Sequence, residues 1–341
     1  MKELLHYNRH FGTKSDIQYV AQCLGLPKVV DFGPTYDIGI SHGRAVELVS
    51  QPGNVISEFC SKYPVILGTD TIPDMRPFMV NPDCSKNKFI FDATNRFDWD
   101  IADVESYYQD IKGVMDRTVF VANNRYDVFK LKHKLKLPSN FSVKLIRPVG
   151  YSPLPVNEDV LNDKSSAEKV VVIDNWPPEA RFSINKMNDA GVPITILGSH
   201  YGGPKTLALY KGVVILPYQI SIMKLIENLH AGVTHFIPSR EFYVTFLGEG
   251  QLTHVSEVFH IAGWHQYHDY YNDEMYSFMY TFDSWEQLKK MVEGDLVMDD
   301  RVQRGMEWAK KNRKNTLDIW KDIFGNLGFQ LSDNAKCPVG K

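Results

Sequence analysis

Residues 213–238 read VVILPYQISIMKLIENLHAGVTHFIP, and this stretch sets the expected fold. The apolar run at 213–216 is rich in β-branched residues and predicts a buried strand. Pro217 ends this strand, because proline cannot donate to a strand ladder. Ser221 is expected to cap a helix that Gly232 closes. A second apolar run follows, so the stretch predicts a βαβ unit. The free N–H groups at the start of its helix form the kind of site that binds phosphate.

The same stretch resembles the nucleotide-sugar-binding element of GT-B glycosyltransferases, especially the retaining family that includes the glycogen and sucrose synthases. That element reads strand, Pro-Ser, Glu, seven residues, Glu-Ala-x-Ala-x-Gly, strand. The counterpart here is Pro217-Tyr218, Gln219, seven residues, and the segment from Glu227 to Gly232. The resemblance implies that Glu227 holds the donor ribose. Gln219 replaces the family's first Glu and is expected near the transferred sugar.

The resemblance implies an α/β protein of two facing Rossmann-like domains, followed by a C-terminal helical segment that crosses back. It also implies transfer of a sugar from a nucleotide sugar, the co-substrate, to a hydroxyl of a glycan or glycoconjugate acceptor. No metal and no further cofactor are expected. The expected donor-binding residues are Arg181, Gly198, Tyr218, Gln219, Ser221, Ile222, Met223, Lys224 and Glu227.

Composition indicates a globular chain of two domains. It has 341 residues, of which 43% are hydrophobic and 23% charged, with a net charge of −3. This balance argues against a nucleic-acid partner. The basic run at 130–136 is expected to be a solvated helix face, with peripheral membrane contact as the alternative. The sequence shows no transmembrane segment and no CxxC pair, which predicts reduced thiols in a cytoplasmic protein.

Apolar runs alternate with helical stretches along the whole chain, which predicts parallel sheets. Ser15 or Asp16 is expected to cap a first helix that ends before Gly25. The expected organisation is a first domain at 1–152, a linker at 153–168, a nucleotide-sugar-binding domain at 169–310, a C-terminal helix at 311–333 and a loose tail at 334–341.

Polar residues at the strand ends of the first domain are the candidates for chemistry on the acceptor. Asp70 is the first candidate for a general base, and His42 is the second. Asp92, Asn95 and Asp98 are expected to bind the acceptor. Two further patterns are discounted as metal sites: the triplet at 98–100, and the histidines at 254, 260, 265 and 268, whose spacing fits no common zinc motif.

Two other functions remain open from the sequence. A GT-B-fold epimerase acting on a nucleotide sugar would need no acceptor site. A non-catalytic sugar-binding or scaffold protein would explain Gln219 in place of Glu. Dinucleotide binding is not supported, since the chain contains no GxGxxG motif.

Overall fold

The computed structural model describes residues 3–26, 28–32, 41–50, 55–174, 178–198, 200–248, 255–295, 299–332 and 335–338. The chain divides into two compact units. Unit 1 consists of Met1–Val149 with Lys314–Val339, and unit 2 is built from Gly150–Arg313.

The centre of unit 1 is a six-stranded parallel sheet with the strand order β2-β1-β3-β4-β5-β6. All seven residues of its central strand β3 are buried, as expected for a parallel sheet covered on both faces. The strands are β1 (Leu4–Tyr7), β2 (Val29–Asp31), β3 (Val65–Thr71), β4 (Lys88–Arg96), β5 (Thr118–Ala122) and β6 (Val143–Leu145).

Helices connect these strands, as the alternating pattern predicts. They are α1 (Phe11–Leu24), α2 (His42–Ser50), α3 (Val55–Lys62), α4 (Arg76–Val80), α5 (Val104–Lys112) and α6 (Arg125–Lys134). The cap predicted for α1 was wrong. His10 is the N-cap, its side chain accepting from the N–H of Thr13, while Ser15 and Asp16 lie buried inside the helix. Gly25 closes α1 in the left-handed conformation, as predicted.

Unit 2 contains a five-stranded parallel sheet with the order β11-β10-β9-β7-β8. Its strands are β7 (Val170–Ile173), β8 (Ile194–Leu197), β9 (Gly212–Val214), β10 (His235–Pro238) and β11 (Tyr280–Phe282). The helices are α7 (Glu158–Asn162), α8 (Pro178–Ala190), α9 (Gly203–Leu207), α10 (Met223–Ala231), α11 (Arg240–Gly248), α12 (Asp273–Tyr276) and α13 (Trp285–Lys290). The C-terminal helix α14 (Arg301–Asn326) belongs to unit 2 up to Arg313 and to unit 1 from Lys314.

The segment predicted to be a linker is partly helical. Residues 158–168 form α7 and a following 3-10 turn, and both belong to unit 2. Asn157 and Asp163 begin these turns, because their side chains accept hydrogen bonds from the N–H groups of Asp159 and Ser165. The polar residues that suggested a flexible connection are therefore capping residues.

The four cysteines form two disulfides, so the prediction of reduced thiols was wrong. Cys60 is bonded to Cys84, and Cys23 is bonded to Cys337, which lies 314 residues further along the chain. The second bond also corrects the prediction of a loose tail. This bond fastens the tail to α1, and just before the tail the N–H of Ser332 donates to the Leu24 carbonyl at 3.0 Å. Within the described ranges, no helix is long and apolar enough to cross a membrane.

Candidate functional site

A pocket opens where β7 and β9 end side by side in unit 2. The chain runs from β7 to β8 on one side and then crosses to β9 on the other, which makes this a topological switch point. Open α/β sheets bind their ligands in the crevice beyond the carboxyl ends of strands at such a point. The empty space in and in front of the pocket, including open solvent at its mouth, is about 490 Å³. It is lined by Val172, Ile173, Ala180, Ser183, Val213, Val214, Ile215, Leu216, Tyr218, Ile222 and Lys224.

The loop of residues 215–222 forms one wall of this pocket and leads into α10. Three predicted donor-binding residues, Tyr218, Ile222 and Lys224, contribute to the lining. Gln219 and Met223 are half-buried beside them without lining the pocket. Three of the nine predicted donor-binding residues therefore line this pocket.

Two other predicted donor residues lie away from the lining. Arg181 is exposed on α8, whereas its neighbours Ala180 and Ser183 line the pocket. Gly198 is exposed beyond β8, which is the edge strand of the sheet. Neither residue therefore has a contact with the pocket that supports its predicted role.

The start of α10 differs from the prediction. The N-cap is Ile222, with an extended backbone and no side-chain capping bond, and the helix begins at Met223. Ser221 is buried and is not the cap. The N–H groups left free at the helix start therefore begin at Met223, one residue later than a Ser221 cap would place them. Gly232 closes the helix in the left-handed conformation, as predicted.

Three ionisable side chains lie together at this end of α10. The Lys224 ammonium stands 4.9 Å from the centre of the Tyr201 ring. Burial raises the pKa of Glu227 to about 7, although the positive charge of Lys224 acts in the opposite direction. Burial also lowers the pKa of Lys224 and raises that of Tyr201. A half-buried acid and base beside a pocket form a site that can bind both a sugar hydroxyl and a phosphate.

In unit 1, Asp70 occupies an irregular point at the carboxyl edge of the sheet. Its φ of 70° is left-handed, which is uncommon for any residue other than glycine. Asp70 pairs with Ala93 but the next residue, Thr71, pairs with Arg96, so β4 bulges there. The Asp70 carboxylate accepts from the hydroxyls of Thr94 at 3.2 Å and Thr71 at 3.3 Å. Strained backbone and bulges recur beside active sites.

Asp92 lies near Asp70 in a group of buried acids. Only 9% of its surface is exposed, and its Oδ1 has no hydrogen-bond partner in the described part of the chain. Burial raises the pKa of Asp92 well above its ordinary value, and the carboxylates of Asp16, Asp127 and Asp70 raise it further. Asp16 accepts from the N–H of Val149 at 2.8 Å. Asp92 therefore favours holding a proton.

Replacing Asp92 by asparagine is expected to change how stability depends on pH. A raised folded-state pKa means that the folded protein binds this proton more tightly than the unfolded chain. Its stabilising contribution is therefore complete below the unfolded value of 3.8 and is lost as pH rises toward the folded pKa. Urea unfolding from pH 4 to 8 should show a smaller loss of stability for Asp92→Asn. The control is Asp116→Asn, an exposed acid before β5. Equal slopes for Asp92→Asn and wild type would contradict the assignment.

Three other residues of the first domain were predicted to bind or act on the acceptor: Asp98, His42 and Asn95. Asp98 accepts from the Tyr108 hydroxyl at 2.7 Å and pairs with the Lys130 ammonium at 2.7 Å, which favours a structural role over acceptor binding. His42 begins α2 and Asn95 lies in β4, but both side chains are outside the described part, as is all of His254. Among the described residues, no group of three or more His, Cys, Asp or Glu side chains is placed to hold a metal.

Arg9 and Tyr201 were not among the residues predicted from the sequence. The Arg9 guanidinium donates to the Thr71 hydroxyl at 3.2 Å, pairs with Asp74 at 3.1 Å and lies 5.7 Å from the centre of the exposed Trp99 ring. Arg9 follows β1, a strand of only four residues that the apolar pattern did not reveal. The signal that would have found Arg9 is a cation placed directly after the first strand of the sheet.

The sequence matches no protein-family model and no curated protein sequence. Among the solved structures that resemble the chain over nearly its whole length are the following three. They are a putative UDP-N-acetylglucosamine 2-epimerase from Listeria monocytogenes (TM-score 0.50, 10% identity, 99% of this chain and 100% of that one), a UDP-N-acetylglucosamine 2-epimerase (0.51, 9%, 95% and 97%), and S. aureus MnaA with UDP (0.51, 10%, 95% and 97%). At such low identity the likeness shows the fold. It confirms the predicted class, two Rossmann-like α/β units of the GT-B type with a C-terminal helix.

Proposed function

We propose that this protein is an enzyme that binds a nucleotide sugar in the pocket of unit 2 and transfers its sugar to a hydroxyl of a glycan or glycoconjugate. The observation that carries the proposal is the pocket at the switch point of the sheet, which Lys224 at the start of α10 lines. Glu227 does not line the pocket, but its carboxyl lies close enough to Lys224 to interact with its charge. The resemblance of residues 217–232 to the donor element of the retaining glycogen and sucrose synthase family supports it.

The roles of the residues follow from their chemistry. The free N–H groups at the start of α10 and the Lys224 ammonium stabilise the diphosphate, including the charge that develops as the sugar leaves. Glu227 accepts hydrogen bonds from the ribose hydroxyls. In unit 1, Asp70 is the base for the acceptor hydroxyl. The contacts of Asp98 leave it out of this assignment, while His42, Asn95 and Arg181 stay predictions.

Epimerisation of a nucleotide sugar is the second candidate, because the solved structures with this fold named above include two described as UDP-N-acetylglucosamine 2-epimerases, one of them putative. It uses the same donor pocket and differs only in the fate of the sugar. Transfer or hydrolysis frees a nucleoside diphosphate, whereas epimerisation leaves the nucleotide attached to the sugar.

A thermal-shift panel of UDP, GDP, ADP and dTDP tests the donor pocket, since a ligand that binds the folded state raises the melting temperature. Incubation with the matching nucleotide sugars, followed by product analysis, then separates transfer from epimerisation. Turnover is expected to continue in EDTA, because the diphosphate is held by N–H groups and an ammonium. Loss of turnover in EDTA and its recovery with Mn²⁺ would contradict the metal-independent mechanism. Absence of both binding and turnover would favour the scaffold alternative.

A further inference from the structure

The 215–222 loop depends on other parts of unit 2 for its shape. Between β9 and α10 it forms neither helix nor strand, and Pro217 has no N–H to donate. Two of its carbonyls are bound from outside: Pro217 O accepts from the Tyr243 hydroxyl at 2.5 Å, and Ile220 O accepts from the N–H of Asp269 at 2.9 Å. Since buried carbonyls need partners, the groups that bind them fix the course of the loop.

Tyr243 is held rigidly behind this loop. It lies on α11, is fully buried, and stacks on the Tyr271 ring with 4.6 Å between centroids. The ring centroids of Phe259 and Trp264 lie 5.6 and 6.1 Å from the centroid of the Tyr243 ring. These neighbours belong to residues 255–279, the aromatic segment, whose packing leaves the Tyr243 hydroxyl aimed at Pro217.

The aromatic segment contributes the second bond as well. His268 is fully buried, and burial lowers its pKa to about 3, so the ring is neutral at physiological pH. Its Nε2 lies 3.5 Å from the Tyr243 hydroxyl. The next residue, Asp269, donates its N–H to Ile220. Tyr243 and the aromatic segment thus bind the loop at two points, on either side of Tyr218 and Gln219.

We propose that Tyr243 is a positioning residue for ligand binding, which holds the 215–222 loop so that Tyr218 and Ile222 line the pocket. The identity of the ligand, a nucleotide, rests on the proposed function. The effect on the loop does not. The aromatic segment therefore shapes the pocket as well as packing around Tyr243.

Tyr243→Phe tests this directly, because it removes the hydroxyl and keeps the ring contacts. Without a donor, the buried Pro217 carbonyl loses its partner and the loop opens more often. Amide hydrogen exchange at residues 218–222 is expected to accelerate about tenfold, and affinity for the best-binding nucleoside diphosphate among UDP, GDP, ADP and dTDP is expected to fall about tenfold.

Tyr107→Phe is the matched control. Tyr107 is also fully buried and donates its hydroxyl to a main-chain carbonyl, that of Phe97, at 2.5 Å, but it belongs to unit 1. A structural role alone would lower the melting temperature of both variants and leave the loop and the nucleotide affinity unchanged. Equal loss of affinity in both variants, or unchanged exchange at 218–222 in Tyr243→Phe, would overturn the proposal. If wild type binds none of the four nucleotides, the proposed function fails, while faster loop exchange in Tyr243→Phe still supports the positioning role.

Discussion

Asp70→Asn is expected to lower the turnover of sugar transfer by about 10²–10⁴-fold, the usual contribution of a general base. An attacking hydroxyl must lose its proton as the nucleotide leaves, and a carboxamide cannot accept that proton. Asparagine has nearly the shape of aspartate: its Oδ1 can accept from one of the Thr94 and Thr71 hydroxyls, and its Nδ2 can donate to the oxygen of the other. The loss is therefore chemical rather than structural, and affinity for the nucleoside diphosphate should remain nearly that of wild type.

The stereochemistry of the product decides how large the loss is. In an inverting reaction Asp70 acts as the base and the full effect is expected. In a retaining reaction the leaving phosphate takes the proton, so that Asp70 only orients a substrate and its replacement costs far less. The anomeric configuration of the product is therefore measured together with the rate.

Asp116→Asn controls for the change of charge, since Asp116 is exposed in the turn before β5, at the opposite edge of the same sheet. An inverted product made at full rate by Asp70→Asn would remove Asp70 from the site. If the melting temperature of Asp70→Asn falls so far that unfolding of the variant explains its lower rate, the role of Asp70 is structural.

Glu227→Ala is expected to weaken nucleotide binding by about 1–3 kcal/mol, the range for hydrogen bonds to a charged group. The ribose offers two hydroxyls, and a half-buried carboxylate can accept from both. Isothermal titration with the nucleoside diphosphate that binds best measures the loss. Unchanged affinity in a folded variant would contradict the assignment that the sequence motif suggested.

The same carboxyl predicts a pH dependence of binding. Since burial raises the pKa of Glu227 to about 7, the empty site is largely protonated below that pH and ionised above it. The ribose hydroxyls donate to the ionised form, so affinity should rise as pH increases through about 7 and then level off. Lys224 and Tyr201 are the titratable groups beside Glu227, and burial lowers the pKa of Lys224 and raises that of Tyr201. Glu227→Gln isolates the contribution of the carboxyl from theirs.

The variant Glu293→Gln is the control for this dependence. Glu293 also has a lysine on the neighbouring turn, Lys289 at 3.8 Å, but the pair is exposed to solvent. Water screens such a pair, so its removal should leave both the affinity and its pH profile unchanged. A pH profile that survives in Glu227→Gln would assign the titration to another group.

The sequence by itself determined the fold class and the element that forms the pocket. The strands from β3 to β10 appear as short apolar runs, and Gly232 marks the end of α10 because the left-handed conformation favours glycine. These features are local, because they depend on the spacing of apolar residues and on the identity of residues close together in the chain. Another local feature is the start of α13, where the Ser284 side chain accepts from the N–H of Gln287, as the spacing of these two residues predicts.

Only the tertiary structure decided the features that depend on residues distant in the chain. The bond between Cys23 and Cys337 joins residues 314 apart, and no spacing rule identifies such a partner. The raised pKa of Asp92 arises from α1, β3 and α6 meeting around β4, and the shape of the 215–222 loop arises from Tyr243 and the aromatic segment. Desolvation and charge repulsion act through space, so they are fixed when the elements pack and not by the order of residues.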